Sequence, residues 1–265
     1  MPTITSHKQF QEVGKLPFCY VCTSTFVIGE AADRDHIPPQ ACFAKADRNV
    51  PLVLRTHVQC NHDHNANDEL VGQLISRKHG HSPAARARRL NVEVIPSPNQ
   101  GEFLAAFDNL DFGNVIRRWI RGFHAALYRE PLPANCRFDV SSPIPVAIIT
   151  EAKIEPRPIR PQDLRFVEII KINRAARNLD QIVSNNGKLQ YDSVWAQMDD
   201  DGPWFCVFAL NLYDWKDLGD SRHFSSRGCI GFYVLPSGKS PVNATLVTKL
   251  QITIPNFDVL DPFGS

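Results

Sequence analysis

Two pairs of possible metal ligands, each with two residues between its members, constrain the fold of this chain more than any other sequence feature. Cys19 and Cys22 form the first pair, and His57 and Cys60 form the second. A two-residue spacer lets one tight turn direct both donor atoms at one point, and two such turns complete a tetrahedron around Zn²⁺. By itself the first pair is equally compatible with redox chemistry or with chance. Together the pairs predict structural zinc, and because the ligands bind deprotonated, folding of this region should depend on pH and on chelators.

The segment between the pairs and just beyond them has the pattern of two strands followed by a helix. Asp35-His36-Ile37-Pro38-Pro39 is typical of a strand that ends abruptly at two prolines. Asn49 comes directly before residues 50–54, which we predict to be the second strand. The polar run that starts at Asn61 leads into apolar residues whose spacing indicates a helix: Leu70, Val71, Leu74 and Ile75.

In this order the residues resemble the HNH endonucleases, whose ββα-metal unit is often braced by a zinc ion held by two Cys pairs. The resemblance covers residues 19–74 and is carried by both ligand pairs, by Asp35-His36, by Asn49 and by Asn61 with Asn65. His57 stands where many members have a cysteine, a change that zinc tolerates. Asn at the third signature position, where many members have His, is similar to the HNH domains of RNA-guided CRISPR nucleases.

The resemblance implies a metal-dependent nuclease and assigns a role to each of these residues. His36, as a neutral imidazole, would be the general base that takes a proton from water. Asp35 and Asn61 would hold a catalytic Mg²⁺ or Mn²⁺ at the scissile phosphate. Asn65 would support the ion, because it is expected four residues after Asn61 on the same face of one helix. Asn49 would fix the loop backbone and so orient His36.

Two of these residues also have a simpler explanation. Asn49 is a common turn residue, and Asn61 is suited to cap the helix that follows it. Another alternative is a transition-metal site formed by Asp35 with His62 or His64. Otherwise one of these two histidines would face DNA phosphate or solvent.

Basic residues downstream of the motif are candidates for contact with DNA. Between residues 70 and 91 the chain has five basic residues and no acidic ones: Arg77, Lys78, Arg86, Arg88 and Arg89. Their position after the nuclease helix favours phosphate contact as much as it favours a solvated surface. An amphipathic helix is predicted over 113–129, with an apolar stripe of Ile116, Trp119, Ile120, Phe123 and Leu127. The arginines off this stripe either extend the DNA-binding track or are simply exposed: Arg117, Arg118, Arg121 and Arg129.

From about residue 141 the sequence indicates an antiparallel sheet with a helix. Strand-type alternation occurs over 189–197, 204–213, 229–235 and 246–254, and mixed helical spacing occurs over 163–183. Residues 199–201 are predicted to be a hairpin turn rather than a calcium site. The predicted fold class is α+β. It comprises a zinc-braced ββα-metal HNH unit over 1–92, a helical connection over 93–140 and a C-terminal α+β domain over 141–265 for targeting or partner binding.

Composition limits the function only in part. With 29 Lys+Arg against 28 Asp+Glu, the net charge of +1 creates no global field that attracts nucleic acid or membrane, so binding must rely on local patches. The hydrophobic content of 43% excludes wholesale disorder, and no apolar run is long enough to span a bilayer. The N-terminus lacks a secretion signal, so we expect a cytoplasmic location.

The function predicted from the sequence is hydrolysis of DNA phosphodiester bonds, with double-stranded DNA as the expected partner. Phage defence or restriction is the expected context. Residues 141–265 are expected to select the target, bind a protein partner or form a homo-oligomer. The alternative is a zinc-braced module that binds nucleic acid or protein and has lost catalysis.

Overall fold

The computed structural model of this chain describes residues 2–79, 92–96, 103–107, 112–141, 147–150, 153–156, 161–197, 202–213 and 228–243. The α-helices are α1 (His7–Val13), α2 (Val58–His62), α3 (Asn65–His79), α4 (Phe112–Tyr128) and α5 (Pro161–Ala175). The strands before α4 are β1 (Thr3–Ile4), β2 (Ala32–His36), β3 (Val53–His57), β4 (Val92–Pro96) and β5 (Phe103–Phe107). Those after α4 are β6 (Arg137–Ser141), β7 (Ala147–Thr150), β8 (Lys153–Pro156), β9 (Asp180–Ser184), β10 (Leu189–Gln197), β11 (Trp204–Leu212) and β12 (Gly228–Val234).

Strands β2 and β3 form an antiparallel hairpin that is followed at once by helices. β2 ends at His36, and the prolines at 38 and 39 explain this end because they lack the N–H that a ladder needs. β3 begins at Val53, three residues later than the predicted start at Val50. The order strand, strand, helix is therefore present in this part of the chain.

The helix predicted after Cys60 is divided into α2 and α3. Asp63 is the C-cap of α2, and α3 begins at Asn65. Asn61 and Asn65 therefore belong to different helices, and the expected spacing of the two on one continuous helix is wrong. Val71 and Ile75 of α3 are buried, which confirms the apolar spacing that predicted this helix.

Six strands from three parts of the chain form the main sheet, in the order β1-β9-β10-β11-β12-β6. The neighbours pair antiparallel, except that β1 pairs with β9 in parallel. The expected antiparallel sheet is thus a mixed sheet, because a short strand from the N-terminus is added at one edge. Two-stranded antiparallel sheets are formed by β2 with β3, β4 with β5 and β7 with β8.

Helices cover both faces of the main sheet. Side chains along β11 alternate between two apolar clusters, so that Phe208 packs in the cluster of α4 and Val207 packs in the cluster of α5. The α4 cluster also includes Tyr20 from the N-terminal region and Leu54 of β3. One core is therefore shared by the hairpin, α4 and the main sheet. The domain boundaries expected after residues 92 and 140 stay a prediction.

Helix α4 confirms the predicted amphipathic helix and corrects the placement of its arginines. All five residues of the apolar stripe are buried. Arg118 is only 3% exposed, so it is neither a surface residue nor part of a DNA-binding track. Arg121 is half-buried and donates to the backbone carbonyls of Leu132 and Ala134 at 2.9 and 3.1 Å. The side chain of Arg118 is therefore buried, and that of Arg121 is held by backbone carbonyls of the protein.

The strands predicted from alternation are confirmed where the structure describes them. β10 coincides with the predicted 189–197, β11 ends one residue before its predicted end, and β12 begins and ends one residue earlier than predicted. The mixed spacing over 163–183 resolves into α5 followed by β9. The predicted strand 246–254 and turn 199–201 lie outside the described residues. In the part of the chain that is described, no helix has the length and apolarity required to cross a membrane.

Gly72 allows α3 to approach the turn that follows β2. A Cβ added at Gly72 would lie 2.4 Å from the Cβ of Ala41, which belongs to a 3-10 helix over Gln40–Cys42. We therefore expect Gly72→Ala to destabilise the protein by about 1–3 kcal/mol, although alanine is the better helix former. Urea unfolding measures the effect, and adding Ala41→Gly should restore part of the loss. Equal stability of Gly72→Ala and the wild type would contradict this close approach.

Candidate metal centre

Four side chains from the two ligand pairs converge on one point. The Sγ atoms of Cys19, Cys22 and Cys60 and a ring nitrogen of His57 all lie within 4.8 Å of one another. Zinc bound to sulfur at about 2.3 Å in a tetrahedron places two sulfur atoms about 3.8 Å apart, so the cluster is close to the size the ion requires. Three thiols and one imidazole are also a donor set of structural zinc sites. The four residues therefore fit a metal ion and are compatible with the predicted structural zinc.

A tight turn positions the first pair. The Thr23 N–H donates to the Cys19 carbonyl at 2.8 Å, and the Cys19 N–H donates to the Ser24 carbonyl at 2.8 Å. Thr23 has a φ of 70°, in the left-handed region that a turn of this kind uses. These hydrogen bonds fold the backbone so that the Cys19 and Cys22 sulfurs lie on the same side of the turn.

The second pair lies where β3 passes into α2. His57 is the last residue of β3 and the N-cap of α2, and Cys60 lies in the first turn of that helix. Residues three apart are neighbours on a helix surface, so the start of α2 brings the imidazole and the thiol together. The Sγ of Cys22 lies 3.1 Å from Nδ1 of His57, and this contact joins the two pairs.

The thiols of this cluster need a cation if they are to be charged together. Burial and the neighbouring Cys19 raise the pKa of Cys60 to about 12. Burial also acts on Cys22, but hydrogen bonds, first of all to the Ser24 backbone, lower the pKa of that thiol to about 7. One thiolate therefore forms readily near neutral pH. A bound Zn²⁺ would supply the positive charge that keeps the other thiols deprotonated.

Asp35 is held in a buried ion-pair network. Its Oδ2 accepts a hydrogen bond from the Tyr20 hydroxyl and another from Nη1 of Arg118, the latter at 2.8 Å. Nη2 of Arg118 also donates to the carboxylate of Asp68 in α3. Asp35 and Arg118 are 5% and 3% exposed, so these charges are shielded from water. Arg118 of α4 thereby ties β2 to α3.

The burial of this network changes the titration of its members. Burial raises the pKa of Asp68 to about 6, although the charge of Arg118 lowers it. Burial and then the charge of Asp35 raise the pKa of Tyr20 well above its ordinary value, so its hydroxyl stays a donor. Near pH 7 the network therefore contains a neutral Tyr20 and an ionised Asp68.

His36 ends β2 and is half-buried. Its Nε2 lies 2.8 Å from Nε2 of Gln40, four residues further along the chain. Burial lowers the pKa of His36, although the neighbouring Asp35 raises it. The imidazole is therefore neutral near pH 7, the form in which it can accept a proton.

The asparagines of the motif occupy separate positions. Nδ2 of Asn61 donates to Oδ2 of Asp33 at 3.3 Å, which connects α2 to β2. Asn65 is exposed at the start of α3, and Asn49 is exposed in the bend before β3. Asn61 therefore contacts β2 at Asp33, whereas Asn49 and Asn65 are exposed, and the roles expected of these three residues stay a prediction.

Within the described residues, the Cys/His cluster is the one group of three or more His, Cys, Asp or Glu side chains placed to hold a metal ion. No such group combines Asp35 with both His62 and His64 there, and a site formed by Asp35 with one of these histidines stays an alternative. Burial and then the charge of Arg118 lower the pKa of His64, which is half-buried near this network.

The sequence pattern predicts that Arg118 is exposed or belongs to a DNA-binding track, and it assigns no role to Tyr20. Arg118 lies three residues after Val115 and four before Gly122, both of which are buried, and this spacing was the signal that could have placed it inside. Tyr20 lies in the turn between the ligands of the first pair, where no periodicity indicates burial. Its role depends on Asp35 and Arg118, which are distant from it in sequence.

Among the basic residues expected to contact DNA, Arg77 and Lys78 belong to the C-terminal end of α3, of which the structure describes the backbone. Arg86, Arg88 and Arg89 lie outside the described residues.

In comparisons with protein-family models, curated proteins and solved structures, nothing matches this chain. Its function is therefore inferred from its own residues and their geometry.

Proposed function

We propose that this protein is a metal-dependent endonuclease of the HNH type that hydrolyses DNA phosphodiester bonds. The observation that carries the proposal is the continuity of the hairpin: Asp35-His36 ends β2, and its partner β3 runs directly into the second ligand pair. Zinc at the four-ligand cluster would brace that hairpin. His36 would then be held on a rigid strand as a neutral, half-buried base. The ββα-metal unit implied by the resemblance is part of this proposal.

Each residue of the motif has one role in the proposed reaction. His36 takes a proton from the attacking water. Asp35 and Asn61 would hold the divalent ion, Asn65 would support it and Asn49 would fix the loop. When bound, Mg²⁺ or Mn²⁺ would neutralise charge on the scissile phosphate and assist the leaving oxygen.

The charge of the network around Asp35 supports the binding of a cation. Both described contacts of Asp35 involve Oδ2, so Oδ1 is the oxygen that could face an ion. Arg118 weakens the attraction, but its guanidinium is shared with Asp68. Two carboxylates against one guanidinium leave a net negative charge, which favours a divalent ion nearby.

Double-stranded DNA is the proposed substrate, and phage defence or restriction is the proposed context. The basic segment from Arg77 to Arg89 begins at the C-terminal end of α3, the helix that follows the second ligand pair, which suits contact with the phosphate backbone. Residues 141–265 would then select the target or bind a partner.

The substitution His36→Ala tests the proposal. Loss of the general base is expected to lower the rate of Mg²⁺- or Mn²⁺-dependent plasmid nicking about 10²–10⁴-fold. Zinc content and thermal unfolding should stay as in the wild type, because His36 is not a ligand of the zinc cluster. The matched control is His62→Ala, an exposed histidine of α2 that should leave nicking intact. Cleavage at the wild-type rate by His36→Ala would refute the assignment.

The second candidate function is a zinc-braced binding module without catalysis. It is favoured by the contacts of Asp35, whose carboxylate already binds Tyr20 and Arg118. A module of this kind would shift DNA in a gel without cutting it in the presence of either divalent ion. A wild-type protein that behaves in this way would replace the nuclease proposal.

A further inference from the structure

We propose that Glu30 is a positioning residue of the zinc site, whose carboxylate binds the outer nitrogen of His57 and so directs Nδ1 of that ring at the metal ion. This proposal rests on the four-ligand cluster and not on the nuclease function. It assigns a role to a residue outside both ligand pairs.

The two nitrogens of His57 face different partners. Nδ1 lies 3.1 Å from Sγ of Cys22, on the side of the ring that faces the cluster. Nε2 lies 3.4 Å from Oε1 of Glu30. The ring therefore stands between the thiols and the carboxylate, in the arrangement in which a metal-bound histidine donates its other N–H to a carboxylate.

A tight turn holds Glu30 in this place. The Glu30 N–H donates to the Val27 carbonyl at 3.0 Å, and the Val27 N–H donates to Oε2 of Glu30 at 2.9 Å. Gly29, with a φ of +84°, supplies the left-handed conformation that the turn needs. One oxygen of Glu30 is thus fixed by the turn, and the other is left for His57.

Aromatic contacts restrict the imidazole from a second side. The ring centroid of Phe26 lies 4.9 Å from that of His57. The guanidinium of Arg55 lies over the ring of Phe26, 4.3 Å from its centroid. With the carboxylate at Nε2, these contacts leave the ring little freedom to turn away from the cluster.

The chemistry explains why such a carboxylate is useful. A histidine binds a metal through an unprotonated nitrogen, so the proton must reside on the other nitrogen. A carboxylate at Nε2 favours the proton there, leaves the Nδ1 lone pair for the ion and increases the basicity of the ligand. Without this acceptor, part of the binding free energy would be needed to select the tautomer and to order the ring.

The test is the zinc affinity of the full-length protein, measured by competition with a chromophoric chelator. Glu30→Ala is expected to weaken zinc binding about 10–100-fold, the usual effect of losing such a partner. Glu30→Gln keeps an acceptor oxygen and should lose less. Glu12→Ala removes an exposed carboxylate of α1 and is the matched control, with unchanged affinity. Wild-type affinity in Glu30→Ala would overturn the proposal.

A second measurement needs no variant and therefore does not depend on whether Glu30→Ala folds. The ¹⁵N spectrum of the zinc-loaded wild type should show His57 bound through Nδ1 and protonated at Nε2. Zinc bound through Nε2 would overturn the proposal. Neither measurement uses DNA cleavage, so failure of the nuclease proposal would leave both results interpretable.

Discussion

Removal of zinc is expected to unfold the region that contains β2, β3 and the two ligand turns. A two-stranded hairpin is marginal on its own in water, and here three thiols must approach one another at its end. Structural zinc contributes about 10–16 kcal/mol of apparent binding free energy in small zinc-dependent folds. Leu52 and Leu54 of this region lie in the core that α4 and the main sheet share, so the loss should also lower the stability of the whole protein.

Thermal unfolding with and without a strong chelator measures this effect. The chelator should lower the Tm substantially, and Zn²⁺ but not Mg²⁺ should restore it, because thiolate ligands prefer zinc. Cys60→Ser should behave like the chelated protein. Its matched control is Cys136→Ser, a half-buried cysteine outside the cluster, which should keep its zinc. An unchanged Tm after chelation would show that the cluster is not a structural metal site.

The four-ligand cluster could be predicted from the sequence because its geometry is set locally. The turn after Cys19 and the first turn of α2 each need only a two-residue spacer to aim two ligands at one point. Strands β10 and β11 could be predicted for a similar reason, since alternation along one strand reports its two buried faces.

Features that depend on partners distant in sequence could not be predicted. β1 has only two residues, too few to show a period, and its place at the sheet edge depends on β9. The spacing of Arg118 along α4 indicates the buried face, but its charge predicts exposure, and the carboxylates that compensate this charge, Asp35 and Asp68, are distant in the sequence. The contact of Glu30 with His57 likewise depends on the turn that precedes β2 and on the end of β3.

Arg118→Met is expected to cost about 3–5 kcal/mol of unfolding free energy at pH 7, because it leaves two carboxylates buried without their cation. Methionine has a similar length and can fill the space, so the loss reports charge rather than a cavity. Arg117→Met, at the adjacent half-buried position of α4, is the matched control and should change stability by no more than about 0.5 kcal/mol. A double variant, Arg118→Met with Asp68→Asn, should recover part of the loss by removing one of the two charges.

The loss of unfolding free energy in Arg118→Met is expected to depend on pH, because Asp68 titrates between pH 4 and pH 7. Its pKa is raised by burial from 3.8 to about 6, so the protonated carboxyl favours the folded state, and that contribution is lost as the pH rises through 6. Arg118 lowers this pKa, so in Arg118→Met the pKa should rise further and the ionised Asp68 should be more destabilising near neutral pH. The difference in unfolding free energy between the wild type and Arg118→Met should therefore shrink as the pH falls from 7 towards 4. Urea unfolding across this range measures it, and a difference that stays constant with pH would mean that Arg118 stabilises the protein through packing rather than through its ion pair with Asp68.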